Sequence, residues 1–144
     1  DSSGNCGSTT SRLDQPTGIA IDWNLNLYIA DSLNRRIVQY SPTASSGGVS
    51  ITGRLTGKPY GVALKNRSSD RLYFTDNQKK ELDIWANGTS VATMGSSTYL
   101  SSPTVVVVDN DDNVYIADET SEQVLKFSGA SSTYEVLLDR PSPV

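Results

Sequence analysis

The sequence PTGIAID at residues 16–22, followed by LYIAD at residues 27–31, decides the fold because it recurs twice further along the chain. The other copies are PYGVALK (59–65) with LYFTD (72–76), and PTVVVVD (103–109) with VYIAD (114–118). The prolines that open the copies lie 43 and then 44 positions apart. A repeat of this length is typical of solenoids and propellers.

The register of the repeat continues beyond these two segments. An aliphatic residue follows each closing aspartate by six positions, and an aromatic residue follows it by nine: Ile37, Leu82 and Val124, then Tyr40, Trp85 and Phe127. A fourth β-prone segment ends each copy, at residues 49–52, 91–94 and 134–138. Each copy therefore predicts four short antiparallel strands, which is the content of one β-propeller blade.

The third position of each repeat is predicted to be crowded. Gly18 and Gly61 occupy it in the first two copies, and we expect the backbones of neighbouring blades to approach each other there. Val105 takes this position in the third copy, which indicates that glycine is not strictly required. The apolar run at residues 105–108 predicts a strand that is covered on both faces by neighbouring blades.

Three blades are fewer than the four to eight of a closed propeller, so we predict an all-β array that forms an incomplete ring. Its predicted units are a leader loop (1–15), blade 1 (16–58), blade 2 (59–102), blade 3 (103–140) and the start of a truncated fourth repeat (141–144). Such a chain is either part of a longer propeller or half of a six-blade propeller assembled from copies. Its open edges favour association with a protein partner or with copies of itself.

The first repeat resembles the NHL-repeat family, whose pattern runs roughly PxGIAVD, NxYVADS and NxRI, then an aromatic residue. The matching residues are Pro16, Gly18, Ile19, Asp22, Asn26, Tyr28, Ala30, Asp31, Ser32, Asn34, Arg36, Ile37 and Tyr40. The third repeat carries Ser121 and Gln123 where Asn34 and Arg36 stand. In the second, Lys65 replaces the aspartate, and RLYFTD (71–76) resembles the YWTD propellers of lipoprotein receptors. The resemblance implies the propeller fold without fixing one function.

The chain of 144 residues contains no histidine. This excludes Ser-His-Asp and Cys-His catalytic groups, as well as the histidine-ligated zinc that the NHL resemblance implies for lyase members of that group. We therefore predict no catalytic residue, no cofactor and no enzymatic activity for this chain. The alternative is a fragment of a hydrolase or lyase whose metal ligands lie in blades outside it.

An acidic stretch at residues 109–113 is a candidate calcium site. Asp109, Asp111 and Asp112 offer oxygen ligands of the kind that calcium prefers. The stretch lacks the glycine and the closing glutamate of an EF-hand, and it lies between the first two predicted strands of blade 3. Aspartate and asparagine are ordinary turn residues, so we favour a hairpin turn over calcium.

Three aspartates recur at the end of the second predicted strand: Asp31, Asp76 and Asp118. One interpretation is a ring of ligands. We favour a structural role, in which each carboxylate accepts backbone N–H groups of the following turn.

Two glycosylation sequons, at Asn66 and Asn87, fall in predicted hairpin loops of blade 2. They favour an extracellular, secreted glycoprotein over a pair of ordinary polar turns. Cys6 is either a free thiol or half of a disulfide with another chain. No segment has the roughly 20 apolar residues of a membrane span.

Basic side chains follow the second strands of blades 1 and 2, at Arg35, Arg36, Lys79 and Lys80, and predict a small basic patch. Glu119 and Glu122 interrupt this patch in blade 3, and the formal net charge is −4, so we expect no nucleic-acid partner. An RNA-binding NHL domain is the second alternative. The leading hypothesis is a non-catalytic extracellular module for protein binding or self-assembly.

Overall fold

The computed structural model describes residues 12–43, 47–129, 131 and 133–138, and these residues form three antiparallel sheets of four strands. Blade 1 contains β1 (Pro16–Ile21), β2 (Leu27–Asp31), β3 (Arg36–Tyr40) and β4 (Val49–Ser50). Blade 2 contains β5 (Pro59–Leu64), β6 (Leu72–Asp76), β7 (Glu81–Ala86) and β8 (Thr89–Met94). Blade 3 contains β9 (Pro103–Val108), β10 (Val114–Asp118), β11 (Gln123–Phe127) and β12 (Tyr134–Leu138). The strands of each blade pair in sequence order.

The predicted fold class is confirmed: the described part of the chain is an all-β array of three propeller blades that does not close into a ring. A single 3₁₀ turn at Lys65–Arg67 is the one helical segment in this part. The described residues accordingly include no helix long and apolar enough to cross a bilayer. Cys6, residues 141–144 and most of the predicted leader lie outside the described residues.

The turns between the first two strands and between the second and third strands use left-handed residues other than glycine. Arg35, Lys80 and Glu122 have φ values of 57°, 61° and 54°, and each stands four positions after the recurring aspartate. Leu25 and Asp112 have φ values of 63° and 65° in the first hairpins of blades 1 and 3. Left-handed backbone conformations are sterically unfavourable for residues other than glycine, so other contacts must stabilise these turns.

Apolar cores lie between the blades because alternate residues of a strand face opposite sides of its sheet. Ala30, Ile37 and Tyr28 of blade 1 pack against Val62, Leu64, Leu72 and Phe74 of blade 2. The opposite face of blade 2 packs against blade 3, with Tyr73, Leu82, Ile84 and Leu100 meeting Val106, Ile116, Leu125 and Phe127. Only blade 2 therefore has a neighbouring blade of this chain on both faces.

The first strands β1, β5 and β9 lie side by side, and the two glycines permit their close approach. A β-carbon at Gly18 would overlap the carbonyl oxygen of Tyr60, and one at Gly61 would overlap that of Thr104. Glycine is thus required where another blade follows. Val105 has no following blade in this chain and is exposed, so the prediction that its strand is covered on both faces is wrong.

Candidate binding surfaces

The recurring aspartates are buried and accept hydrogen bonds from backbone N–H groups. Asp118 accepts them from Ser101, Ser102 and Ser121, at 2.7, 3.1 and 3.0 Å. Ser121 belongs to the following turn, as the structural interpretation requires. The other two donors precede the first strand, so the carboxylate also ties the entry of the blade to the end of its second strand.

Asp76 and Asp31 show the same double role with different donors. Asp76 accepts from the N–H groups of Lys58 before the blade and of Gln78 and Lys79 after its strand, all through Oδ1. Asp31 accepts from the N–H of Asp14, from the Asn34 amide and, at 2.7 Å, from Nε of Arg36. The donors ahead of each blade are distant in sequence and carry no motif, so the sequence did not reveal them.

A second set of aspartates organises the first hairpins of blades 1 and 3. Asp22 accepts from the N–H groups of Asn24 and Asn26, from the Asn26 amide and from the Tyr28 hydroxyl, at 2.8 to 3.1 Å. Burial tends to raise the pKa of Asp22, but these hydrogen bonds outweigh it and hold the pKa below its usual value. Burial and the neighbouring Asp22 charge raise the pKa of Tyr28 to about 12.

The candidate calcium residues have other partners. Asp109 accepts from the N–H groups of Asp111 and Asn113, from the Asn113 amide and from the Tyr115 hydroxyl. The Asn113 hydrogen bond is the main cause that lowers the pKa of Asp109. Asp112 lies 2.6 Å from Nζ of Lys65. Asp109 therefore closes the hairpin turn that the sequence predicts, whereas Oδ1 of Asp112 is buried without a partner among the described groups and Asp111 is exposed, so calcium binding stays a prediction.

Both sequon asparagines are exposed, and both have left-handed backbone conformations, with φ of 48° for Asn66 and 52° for Asn87. Asn87 and Gly88, at φ 76°, are the two central residues of the β7–β8 hairpin, which matches the Asn-Gly preference of a type I′ turn. The turn therefore explains Asn87 without a glycan, while the exposure of its side chain leaves it accessible to one.

Two of the four side chains of the predicted basic patch form ion pairs. Arg36 is buried against Asp31, and Lys79 forms an ion pair of 2.9 Å with Glu81. The Arg35 guanidinium donates a hydrogen bond to the carbonyl of Thr56. The charges of Arg36 and Lys79 are thus balanced by carboxylates, whereas Arg35 donates to a neutral carbonyl and keeps its charge.

The outer face of blade 1 is an apolar surface without a neighbouring blade. Ile19 and Ile21 pair with Ile29 and Leu27, so all four share the face that points away from blade 2. The exposed part of this face is the first strand, since Ile19 and Ile21 are exposed and Ile29 is buried. Ile19 is 67% exposed, whereas the equivalent Val62 of blade 2 is 7% exposed against blade 1. We call this surface the leading face.

The outer face of blade 3 is open in the same way. Val105 and Val107 pair with Ala117 and Tyr115 on the side that points away from blade 2. Val107 is 55% exposed, whereas the equivalent Ala63 is 8% exposed against blade 3. We call this surface the trailing face. Neither face carries a sequence motif. The sequence predicted two open faces because three blades are too few to close a ring.

A cleft of about 240 Å³ lies between blades 1 and 2. Its walls include Tyr28, Gln39, Leu72, Trp85 and the Asn87 turn. The Trp85 indole nitrogen is buried without a hydrogen-bond partner among the described groups, and it does not reach the cleft surface. The cleft is thus a gap between the two blades with both apolar and polar walls, in which the Gln39 amide donates a hydrogen bond to the Tyr28 hydroxyl.

A model of the NHL repeat matches residues 13–40, which comprise β1 to β3 of blade 1. No curated protein sequence shows a significant match to the chain. Solved structures do match, and they are propellers or contain them.

Three of these structures illustrate the range. A nidogen/laminin complex matches with a TM-score of 0.76 and 21% identity, over 88% of this chain and 49% of that one. A gluconolactonase from Xanthomonas campestris matches with 0.71 and 16%, over 92% and 50%. Virginiamycin B lyase from Staphylococcus aureus matches with 0.68 and 18%, over 89% and 42%. The chain thus spans half or less of the structures that it matches.

These comparisons correct one prediction. The absence of histidine led us to predict that the chain is not an enzyme, but two of the matched propellers are enzymes. The inference failed because 144 residues correspond to half or less of such proteins, so groups missing here do not define the chemistry of a whole propeller. At these identities the likeness concerns the fold. The chain carries an NHL repeat in its first blade and belongs, by its fold, to the β-propeller proteins.

Proposed function

We propose that the chain is a protein-binding propeller module whose leading and trailing faces bind propeller blades that continue the ring. The observation that carries this proposal is the contrast between equivalent residues. Val62 is buried where a blade precedes it, and Ile19 is exposed where none does. The fourth residue of a blade's first strand is therefore suited to contact with a preceding blade throughout the array.

The energetics of the open faces support blade binding. Burying one large aliphatic side chain contributes about 1.5–3 kcal/mol, and each open face presents at least two. Exposed apolar sheet faces of this kind are a liability in isolation and a source of affinity when covered. A flat, pleated, apolar face is complementary to another sheet, so the partner that fits best is a blade.

Blade binding leaves room for a further protein partner of the completed propeller. A matched propeller is present in a nidogen/laminin complex, so the fold supports protein recognition in that case. For this chain we propose only that the further partner is a protein.

Sedimentation velocity over a range of concentrations tests blade binding with the chain itself. Copies supply both faces, so we expect reversible self-association. Ile19→Ser and Val107→Ser, which place a hydroxyl on the leading and trailing faces, should each weaken it. Val91→Ser is the matched control, because Val91 is 56% exposed in the outer strand β8 rather than on either face.

Two results would overturn the proposal. One is a folded monomer at all concentrations. The other is self-association that Val91→Ser weakens as much as the two end-face variants do.

We further propose that the protein is extracellular and carries N-linked glycans on Asn66 and Asn87. The support is the exposure of both asparagines in hairpin turns of blade 2. After expression through a eukaryotic secretory pathway, Asn66→Gln and Asn87→Gln should each abolish one glycosidase-sensitive mass increment. Unchanged masses in both variants would disprove the glycans.

A propeller enzyme is the second candidate, because a lyase and a gluconolactonase are among the matched structures. A shallow groove along the first strands, lined by Thr17, Tyr60 and Thr104, is the surface of this chain that such an active site would use. A histidine-to-alanine variant of the lyase is catalytically inactive, and this chain has no histidine, so the catalytic group would come from outside its 144 residues. Assays of the full parent protein on gluconolactone and quinupristin test this candidate, and turnover of neither would count against it.

A further inference from the structure

The two internal blade junctions share one close contact, which sets how blades stack in this array. At the first junction the carbonyl of Tyr60 occupies the space of the missing side chain of Gly18. At the second, the carbonyl of Thr104 does the same at Gly61. In both cases the second residue of a blade's first strand meets the third residue of the preceding blade's first strand.

The trailing face lacks this glycine. Val105 stands two positions after Pro103, as Gly18 and Gly61 stand after Pro16 and Pro59. Its pairing with Ala117 directs its side chain to the trailing face, and it is 54% exposed. A fourth blade in the geometry of the internal junctions would place its carbonyl oxygen where the β-carbon of Val105 lies. A backbone carbonyl cannot move aside without shifting its whole strand.

Within the part of the chain that the structure describes, the first strand of the leading face carries no such obstacle. Thr17 and Gly18 stand in the repeat where β5 has Tyr60 and Gly61, and it is the carbonyl of Tyr60 that meets Gly18 of blade 1. A preceding blade with glycine at its third position therefore fits there in the observed junction geometry.

We propose that the β-carbon of Val105 prevents a blade from docking on the trailing face in the way that blades dock at the two internal junctions. A blade can be added before blade 1 in the geometry of the internal junctions, and it cannot be added after blade 3 in that geometry. The partner of the leading face is accordingly a propeller blade whose first strand carries glycine at its third position. The trailing face takes a partner only through a wider junction. This inference rests on the proposed binding of blades by the end faces, and it assigns their difference to one side chain.

Val105→Gly and Val105→Ala separate the effect of the β-carbon from that of the valine methyl groups. The glycine variant gives the trailing face the residue found at both internal junctions, so its blade 3 can receive the leading face of another copy. We expect its self-association in sedimentation velocity to be at least about tenfold tighter than that of the unaltered chain. Val105→Ala retains the obstructing β-carbon, so it should associate no more tightly than the unaltered chain. Ile19→Ser in the glycine variant should remove the gain.

The outcomes distinguish this inference from the proposed function. Equal association of the glycine and alanine variants overturns the inference, whether or not the unaltered chain associates. If the unaltered chain associates and Ile19→Ser weakens that association, the proposed function stands whatever the glycine and alanine variants do. A monomeric unaltered chain with an assembling glycine variant overturns that function for this chain alone and supports the inference. Far-ultraviolet circular dichroism of all variants confirms that Val105→Gly retains the fold.

Discussion

The ammonium nitrogen of Lys65 lies 2.6 Å from Oδ2 of Asp112 and joins the first hairpin of blade 2 to that of blade 3. In the other two blades the position of Lys65 holds an aspartate, Asp22 or Asp109, whose carboxylate closes its own turn. The lysine therefore forms a contact between blades where its counterparts form contacts within one. Blade 2 thus has an ion pair to the next blade at the position where blades 1 and 3 have a carboxylate that closes the hairpin.

Lys65→Gln should lower the free energy of unfolding by about 0.5–1 kcal/mol, because the ion pair is partly exposed. The loss should shrink at high salt, where the pair is screened. Urea denaturation at low and high ionic strength measures both effects. Lys80→Gln, in the β6–β7 turn, is the control for the loss of one positive charge. Equal losses in the two variants would contradict a specific pair.

The repeat in the sequence predicted the blades because each level of pattern agrees with the others. Proline, alternating apolar residues and the closing aspartate mark the same positions in all three copies, and the strands begin and end there. The turns were harder to predict. Leu25, Arg35 and Lys80 adopt left-handed conformations that no glycine marks in the sequence. Hydrogen bonds within each turn hold them, because their N–H groups donate to the carbonyls of Asp22, Ser32 and Asp76.

Gly61→Ala should destabilise the fold by about 2–3 kcal/mol, because its β-carbon would overlap the backbone of β9. Gly53→Ala is the comparison. Gly53 has φ of 64° and open space around it, so alanine there costs only the left-handed conformation, about 1 kcal/mol. Thermal and urea unfolding should rank the two variants in this order. The reverse order would show that blade 3 moves away from blade 2 without loss.

The difference between Gly61 and Val105 shows what the sequence could not supply. Aligned repeats made valine look like a tolerated variant of the glycine position. Only the packing of the blades shows that the glycines have a following strand in this chain and the valine has none. The residues of a first strand have the same pattern whether or not the strand of another blade packs against them.

Asp118→Asn should lower the free energy of unfolding by about 2 kcal/mol, since a neutral amide accepts more weakly and brings its own N–H groups toward three backbone donors. The exposed Asp111→Asn makes the same chemical change in the first hairpin of blade 3 and should cost less. Hydrogen exchange of the amides of Ser101 and Ser121 should accelerate in Asp118→Asn alone. Unchanged protection of both amides would rule out the dual role of the carboxylate.

Asp83 should make stability fall as the pH rises from about 4 to 6. Burial raises its pKa from 3.8 to about 6; Lys79 opposes this rise, and Glu81 and Asp76 add to it. In this window the folded chain keeps a proton that the unfolded chain has released, so rising pH favours unfolding. Above the folded pKa the full penalty applies, roughly 1–3 kcal/mol once solvent screening of the carboxylate is included.

Asp83→Asn removes this ionisation and tests its sign. The variant should match the original chain near pH 4 and exceed its free energy of unfolding above about pH 6 by roughly 1–3 kcal/mol. Asp22 and Asp109, whose pKa values are lowered, contribute the opposite slope in both proteins, so the difference between the two curves isolates Asp83. Asp70→Asn, at an exposed position, is the control for the loss of one carboxyl group. A difference between the original chain and Asp83→Asn that stays constant from pH 4 to 7 would mean that the Asp83 carboxyl is hydrated in the folded protein despite its burial.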